Sequence, residues 1–213
     1  MGREFLDVFT GWAESYDSFV QGHDAEYKEV FRRYDEILHE IVNRSGNNVI
    51  EFGIGTGNLT KMLIDSGKTV FPIEPSPEMR IIAAKKLGEN VTIHDGDLID
   101  FPKPSHQVDT IVSSYVFHHL TDDEKYEAIK IYNTLLNTGG KIIFADTMFL
   151  SEKEFNHEIS KADQANFIDL RDDLKREYYP TIPIVRSHLE KNGFTVSFQQ
   201  FNDFVWIVEA TKK

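Results

Sequence analysis

The apolar positions of the chain keep two different periods. Phe5, Val8, Phe9, Trp12, Ala13, Tyr16, Phe19 and Val20 recur at helical spacing, although Gly11 interrupts them. A second helical stripe runs Tyr27, Val30, Phe31, Tyr34, Ile37, Leu38, Ile41, Val42, and Ser45-Gly46-Asn47 stops it. From there short β-rich runs alternate with helical segments. Val49–Phe52, Thr69–Glu74, Val91–His94, Val108–Ser114 and Lys141–Asp146 are the predicted strands. Ser76 with Pro77 opens one intervening helix, and the capping box Thr121/Glu124 opens another. Phe194–Phe201 and Phe204–Ala210 form a hairpin-like pair around Asn202-Asp203. Pro72 lacks a donor, so it either bulges the second strand or confines its pairing to one side.

Strands alternating with helices imply a parallel sheet covered on both faces. The expected fold is therefore α/β: a doubly wound, mostly parallel, seven-stranded sheet ending in an antiparallel hairpin, with an N-terminal helical cap. One domain over 1–213 is expected, divided into a helical cap (1–45), a core (46–146), a helical insert (147–183) and a last helix with the terminal β pair (184–213).

Composition narrows the function classes. With 40% hydrophobic and 27% charged residues the chain has material for a sizeable core, and no apolar run reaches the roughly 18 residues that span a bilayer. Cysteine is absent, which removes disulfides, thiolate metal sites and cysteine nucleophiles. The net charge of −12 disfavours nucleic acid and anionic membranes as partners. The N-terminus lacks a secretory pattern, and a cytoplasmic location is expected.

The chemistry concentrates in Glu51-Phe52-Gly53-Ile54-Gly55-Thr56-Gly57, between a strand and a helix. Glycines allow a tight turn and close approach of a ligand to the backbone. The spacing is G-x-G-x-G. A dinucleotide fingerprint needs a glycine at the sixth position, where Asn58 stands, and the G-K-[ST] ending of a P-loop is missing. Glu74 ends the second strand about 20 residues on, where an acid accepts ribose hydroxyls, or else caps the helix after Ser76. Asp97 follows the third strand beside Leu98, with Asp95 as an alternative acid and a plain turn aspartate as the alternative role.

Together these residues resemble the class I S-adenosylmethionine-dependent methyltransferases, over nearly the whole chain from about Trp12. The resemblance is strongest to the YrrT-type methyltransferases of Bacillus-like bacteria. It implies S-adenosyl-L-methionine as cofactor, bound by Glu51, Gly53, Gly55, Gly57, Glu74, Asp97, Leu98 and Ser114. Asp97 would accept from the adenine amino group, with Leu98 against the ring. Val112, Ser113 or Ser114 would offer a carbonyl to the ammonium, and the segment Tyr115–Leu120 would lie beside the methyl group.

The implied activity is methyl transfer to a small-molecule acceptor by in-line displacement. The cofactor carries the hard chemistry, so no universal catalytic residue is expected. Tyr16, His118, His119, Asp146 and Tyr178 are candidates for a base. His118-His119 invites a metal reading. Neighbouring side chains on a strand or turn point apart and no third ligand is suggested, so a packing or helix-entry role and no metal are expected. Trp12–Asp17 resembles the cover helix of small-molecule members, although plain helix packing explains the same stripe. The insert, with Tyr178-Tyr179-Pro180 near its end, is the second candidate for acceptor specificity. A monomer or homodimer is expected. The remaining functions are binding of S-adenosylmethionine or S-adenosylhomocysteine without transfer, and NAD-dependent oxidation, which the glycine spacing opposes.

Overall fold

A computed structural model describes residues 16–213. Of the expected stripe from Phe5 to Val20, the positions Phe5 to Ala13 lie outside the described residues. Six strands build one sheet: β1 (Asn48–Phe52), β2 (Thr69–Ile73), β3 (Val108–Ser114), β4 (Leu136–Thr147), β5 (Phe194–Gln200) and β6 (Val205–Lys212), in the order β2-β1-β3-β4-β6-β5. The first four are parallel, and β6 runs antiparallel to both β4 and β5. After a short helical segment over Tyr16–Ser18 and Phe19–His23, the longer helices are α1 (Tyr34–Arg44), α2 (Asn58–Asp65), α3 (Pro77–Leu87), α4 (Asp122–Leu135), α5 (Glu152–Gln164), α6 (Ile168–Arg176) and α7 (Ile182–Lys191).

Alternation along the strands sends side chains to two cores, one on each face of the sheet. Ile50, Phe52, Ile111, Ile142 and Phe144 join Ile129 and Tyr132 of α4 and Val185 and Leu189 of α7. Val49, Val112, Ile143 and Ala145 join Ile37 and Ile41 of α1, Leu59 and Leu63 of α2, and Leu170 and Leu174 of α6. The sheet is thus doubly wound, as the sequence implies. The predicted caps form: Ser76 Oγ accepts from the Met79 N–H at 3.2 Å, and Thr121 and Glu124 close a capping box.

Two expectations are corrected. The sheet has six strands because the segment predicted as a third strand, Val91–His94, keeps a single parallel bridge from His94 to Ile73. Pro72 explains this. The Ile73 carbonyl accepts from Gly53, just past β1, so the backbone groups of Pro72 face the outer edge, where its carbonyl accepts from His94 but no N–H exists to continue the ladder. β2 is therefore fully paired on one side only.

The second helical stripe does not form one helix from Tyr27. Turns fill 24–33, and α1 starts at Tyr34 because Arg33 takes a left-handed φ of 65°. That conformation costs on the order of 1–2 kcal/mol. It is held by a 3.0 Å hydrogen bond from Arg33 to the Phe201 carbonyl, by Glu36, and by the guanidinium over the Phe201 ring. Asn202 satisfies the Val30 and Arg32 carbonyls that the interrupted helix leaves open.

The chain leaves β1 for β2 on one side of the sheet and returns to β3 on the other. The strand order reverses there, and in open α/β sheets the crevice outside the carboxyl ends of such strands is where ligands bind.

Candidate functional site

The turn after β1 is shaped by glycine. Gly53 has φ 64°, and a Cβ there would sit 2.5 Å from Val116 Cγ2. Gly55 has φ 55°, and a Cβ there would meet only the Tyr16 ring at 3.9 Å, so a side chain would reach into the crevice. The turn is tied across the sheet: Gly53 and Ile54 both donate to the Ile73 carbonyl, and Gly55 donates to Glu74 Oε2 at 2.8 Å. The other Glu74 oxygen accepts from the Ser76 N–H at 2.8 Å. A carboxylate accepts about four hydrogen bonds, so each oxygen retains capacity toward the crevice. Burial pushes the Glu74 carboxyl up to about 7, partly offset by the two backbone donors.

The crevice is lined by the turn, Glu74, Asp97, Leu98, Ser114, Val116 and the three tyrosines 16, 34 and 115. Of the eight residues expected to bind cofactor, Gly53, Gly55, Glu74, Asp97, Leu98 and Ser114 line it. Glu51 and Gly57 stand behind it. Gly57 takes φ 85° at the N-cap of α2. Glu51 is buried in β1, burial pushes its carboxyl up to about 8, and its Oε2 has no partner among the described residues. Ser113 Oγ, at the end of β3, is in the same condition. Val112 is buried in the core.

The two acids after the third segment separate cleanly. Asp97 is buried, and its Oδ1 accepts the N–H groups of Ile99 and Asp100 at 2.9 and 2.8 Å, a turn role that leaves the carboxylate on the crevice wall. Asp95 is 57% exposed in its side chain and pairs with Arg80 at 3.3 Å. Among the described residues the crevice wall carries two carboxylic acids and no lysine or arginine. That lining suits a ligand rich in hydroxyl and amino donors and opposes a pyrophosphate.

Beyond Ser114 the wall turns aromatic. Tyr115 takes φ 57°, a strained conformation for a bulky residue. Its ring thereby reaches Phe31 at 5.1 Å and Tyr34 at 5.8 Å. Tyr115, Tyr16 and His119 border both this crevice and a second, wider chamber. The second chamber is walled by Phe19, Tyr27 and Phe31 from the N-terminal segment and by Asp173, Arg176 and Glu177 from the insert. Tyr27 Oη donates to Asp173, and Glu26 accepts the Leu170 N–H at 3.1 Å, so the N-terminal segment and the insert hold each other.

The base candidates divide. His118 and His119 sit on a 3-10 turn, Phe117–His119, with rings 4.3 Å apart, and both are buried. Asp146, fully buried at the end of β4, receives His118 twice: from its backbone N–H at 2.9 Å and at Nδ1, 2.5 Å away. Burial pulls the His118 pKa down, but Asp146 and Glu177 outweigh it and the net shift is upward. Burial, then the neighbouring His118, lowers the His119 pKa. Burial raises Tyr16 well above its ordinary value, so its hydroxyl stays protonated. Tyr178 is 41% exposed and lines neither space, whereas Tyr179 stacks on His118 at 4.8 Å.

The premise behind the expectation of no metal also fails. The 3-10 turn brings the two adjacent imidazoles together, and Glu177, 58 residues from His119 in sequence, supplies a third donor.

Sequence reasoning missed Asp17, Tyr34, Glu177 and Tyr179 as site residues. Asp17 accepts from Thr56 Oγ1 at 2.6 Å and Asn58 Nδ2 at 3.1 Å and pairs with Lys86 at 2.7 Å, which fastens the N-terminal segment onto the glycine turn. The segment after α6 is extended, with Pro180 and Ile182 bonded to Phe149, so Glu177 and Tyr179 share one side and Tyr178 takes the other. That alternation was a usable signal.

Residues 49–140 match the model of the methyltransferase domain family. An uncharacterized methyltransferase of Anoxybacillus flavithermus is 56% identical over 213 residues, covering all of both chains. One of Geobacillus thermodenitrificans is 54% identical, covering 100% of this chain and 99% of its own. This chain belongs to the methyltransferase family. Among solved structures, the methyltransferase shares its fold with a magnesium protoporphyrin IX methyltransferase of Synechocystis crystallised with bound S-adenosylhomocysteine, at TM-score 0.70 and 19% identity, covering 100% and 99% of the two chains. It also resembles a methyltransferase of Thermotoga maritima, at TM-score 0.68 and 18% identity, covering 98% and 99%. The relatives from Bacillus-like bacteria agree with the kinship read from the sequence.

Proposed function

We infer that this methyltransferase takes its methyl group from S-adenosylmethionine and delivers it to a small-molecule acceptor held in the second chamber. The observation that carries the reading is the crevice at the switch point: bare backbone at Gly53 and Gly55 facing the Glu74 and Asp97 carboxylates. Each Glu74 oxygen accepts one backbone N–H and retains capacity for another donor, which fits a cofactor bearing ribose hydroxyls.

Glu74 would accept the ribose hydroxyls, Asp97 the adenine amino group, and Leu98 would pack on the ring. Gly53, Gly55 and the β3 end at Ser114 would hold the amino-acid part, with Glu51 and Gly57 supporting the turn from behind. When bound, the cofactor supplies a methyl group on a positively charged sulfur, a strong leaving group. The chain's own task is alignment and exclusion of water. Tyr16, Tyr34 and Tyr115 close the crevice, and the Asp17 clamp keeps the N-terminal segment over the turn. Both the N-terminal segment and the insert wall the acceptor chamber, so both shape specificity.

Isothermal titration with S-adenosylhomocysteine tests the reading. One site with an affinity on the order of micromolar is expected; no heat at millimolar ligand would overturn it. Among the described residues no helix is long and apolar enough to cross a membrane.

A further inference from the structure

His118, His119 and Glu177 converge on the boundary between the two spaces. Glu177 Oε2 lies 2.7 Å from His119 Nδ1 and 3.3 Å from His118 Nε2, and one donor atom from each residue falls within a 4.8 Å cluster. Donors bound to a small divalent ion at about 2.0–2.2 Å in tetrahedral geometry stand roughly 3.3–3.5 Å apart. The His118–Glu177 pair is already at that separation, the His119–Glu177 contact has to open by about half an ångström, and the two imidazole nitrogens lie within 4.8 Å of each other.

The surroundings match what metal-binding histidines require. The opposite nitrogen of His118 is held by Asp146, whose other oxygen accepts the His118 N–H and which also accepts from Thr147, so the ring is fixed in orientation. A carboxylate behind a ligating imidazole fixes the tautomer and raises ligand basicity. Tyr179 stacks on the same ring, and Arg176 approaches only the other Glu177 oxygen, at 3.6 Å. Asp173, Asp172 and Asp169 line the same chamber, so its field favours a cation.

We propose that His118, His119 and Glu177 bind one divalent transition-metal ion, with Asp146 as the orienting carboxylate. Two imidazoles and one carboxylate suit Zn²⁺, Co²⁺ or Fe²⁺ better than Mg²⁺ or Ca²⁺. The remaining coordination positions face the chamber and take an oxygen- or sulfur-bearing acceptor; that last clause rests on the methyl-transfer reading, and the metal site itself does not.

The test is titration of the full-length, chelator-treated protein with Zn²⁺ by calorimetry and with Co²⁺ by visible absorption. The chain has no cysteine, so no thiolate band overlies the cobalt spectrum. One saturating site is expected, with affinity reduced at least 100-fold in His118→Ala and in Glu177→Gln, and roughly 10- to 100-fold in Asp146→Asn. Circular dichroism checks each variant; should His118→Ala fail to fold, Glu177→Gln decides. Absence of saturable binding, or binding that Glu177→Gln leaves unchanged, overturns the proposal, the latter by assigning the ion to surface histidines. S-adenosylhomocysteine is titrated into the same protein. Cofactor binding without metal binding sinks this proposal alone, and metal binding without cofactor binding sinks only the methyl-transfer reading and the clause on the acceptor.

Discussion

The two spaces that meet at Tyr16, Tyr115 and His119 are built on different plans. Apart from Tyr16 and Tyr34, the crevice comes from the ends of successive chain segments of the sheet and the turns that follow them. The chamber is assembled from residues far apart: Tyr27 meets Asp173 across 146 positions, and His119 meets Glu177 across 58. A local plan gives rigidity, since the sheet's own hydrogen bonds hold the wall. A distributed plan gives a surface that changes with the insert while the sheet stays as it is. On the proposed reading, acceptor choice would reside in the chamber, the region that the fold constrains least.

Substitutions can separate the two plans. The largest effect is expected from Gly53→Val: the left-handed φ and a Cβ 2.5 Å from Val116 cost about 3 kcal/mol or more, and thermal melts should fall together with loss of S-adenosylhomocysteine binding. A normal melt would mean the turn yields. Next is Glu74→Gln, expected to weaken S-adenosylhomocysteine binding roughly 10- to 100-fold by calorimetry, because hydrogen bonds to a charged group are worth about 1.5–3 kcal/mol.

The buried acids add a pH signature. The folded carboxyls of Glu51 and Glu74 titrate near 8 and 7, above the unfolded value of 4.5. The folded state holds protons that the unfolded chain releases, so their contribution is complete below 4.5 and is lost as pH rises through 7 and 8. Denaturant midpoints between pH 5 and 8 should fall, with a flatter slope in Glu51→Gln. Cofactor binding should run the opposite way, tightening from pH 6 to 8 as Glu74 ionises, and Glu74→Gln should abolish that trend.

On the chamber side, Tyr27→Phe removes the link to Asp173. It should cost about 1–2 kcal/mol in chemical denaturation and raise the acceptor KM while cofactor affinity holds. The smallest effect is expected from Asp95→Asn, whose exposed pair with Arg80 contributes at most about 0.5 kcal/mol, against an approximately tenfold loss of affinity in Asp97→Asn. Equal effects at 95 and 97 would erase the distinction between them.

Legibility followed the same division. The strands, the caps at Ser76 and Thr121, the glycine turn and the acids at 74 and 97 were readable because spacing along the chain carries them. The strand at Val91–His94 was over-read: its composition suits a strand, but pairing depends on the donors of the partner, and Pro72 withholds one. The helix expected from Tyr27 was over-read as well, since its break at Arg33 is stabilised from Phe201 and Glu36, and Asn202 caps the freed carbonyls. At 178 the choice of residue was out of phase by one. The divergence assumed for His118 and His119 failed because a 3-10 turn and a distant carboxylate decide where those rings point.

Pro72 has one more effect. A sheet that ends in an open row of donors and acceptors is a template on which a foreign strand can add, and such addition seeds aggregates. Here the outer border carries an imino acid, and the next segment is pinned there by one bridge. An incoming chain finds an incomplete set of partners. The loss of one rung within the molecule thus protects it against pairing between molecules.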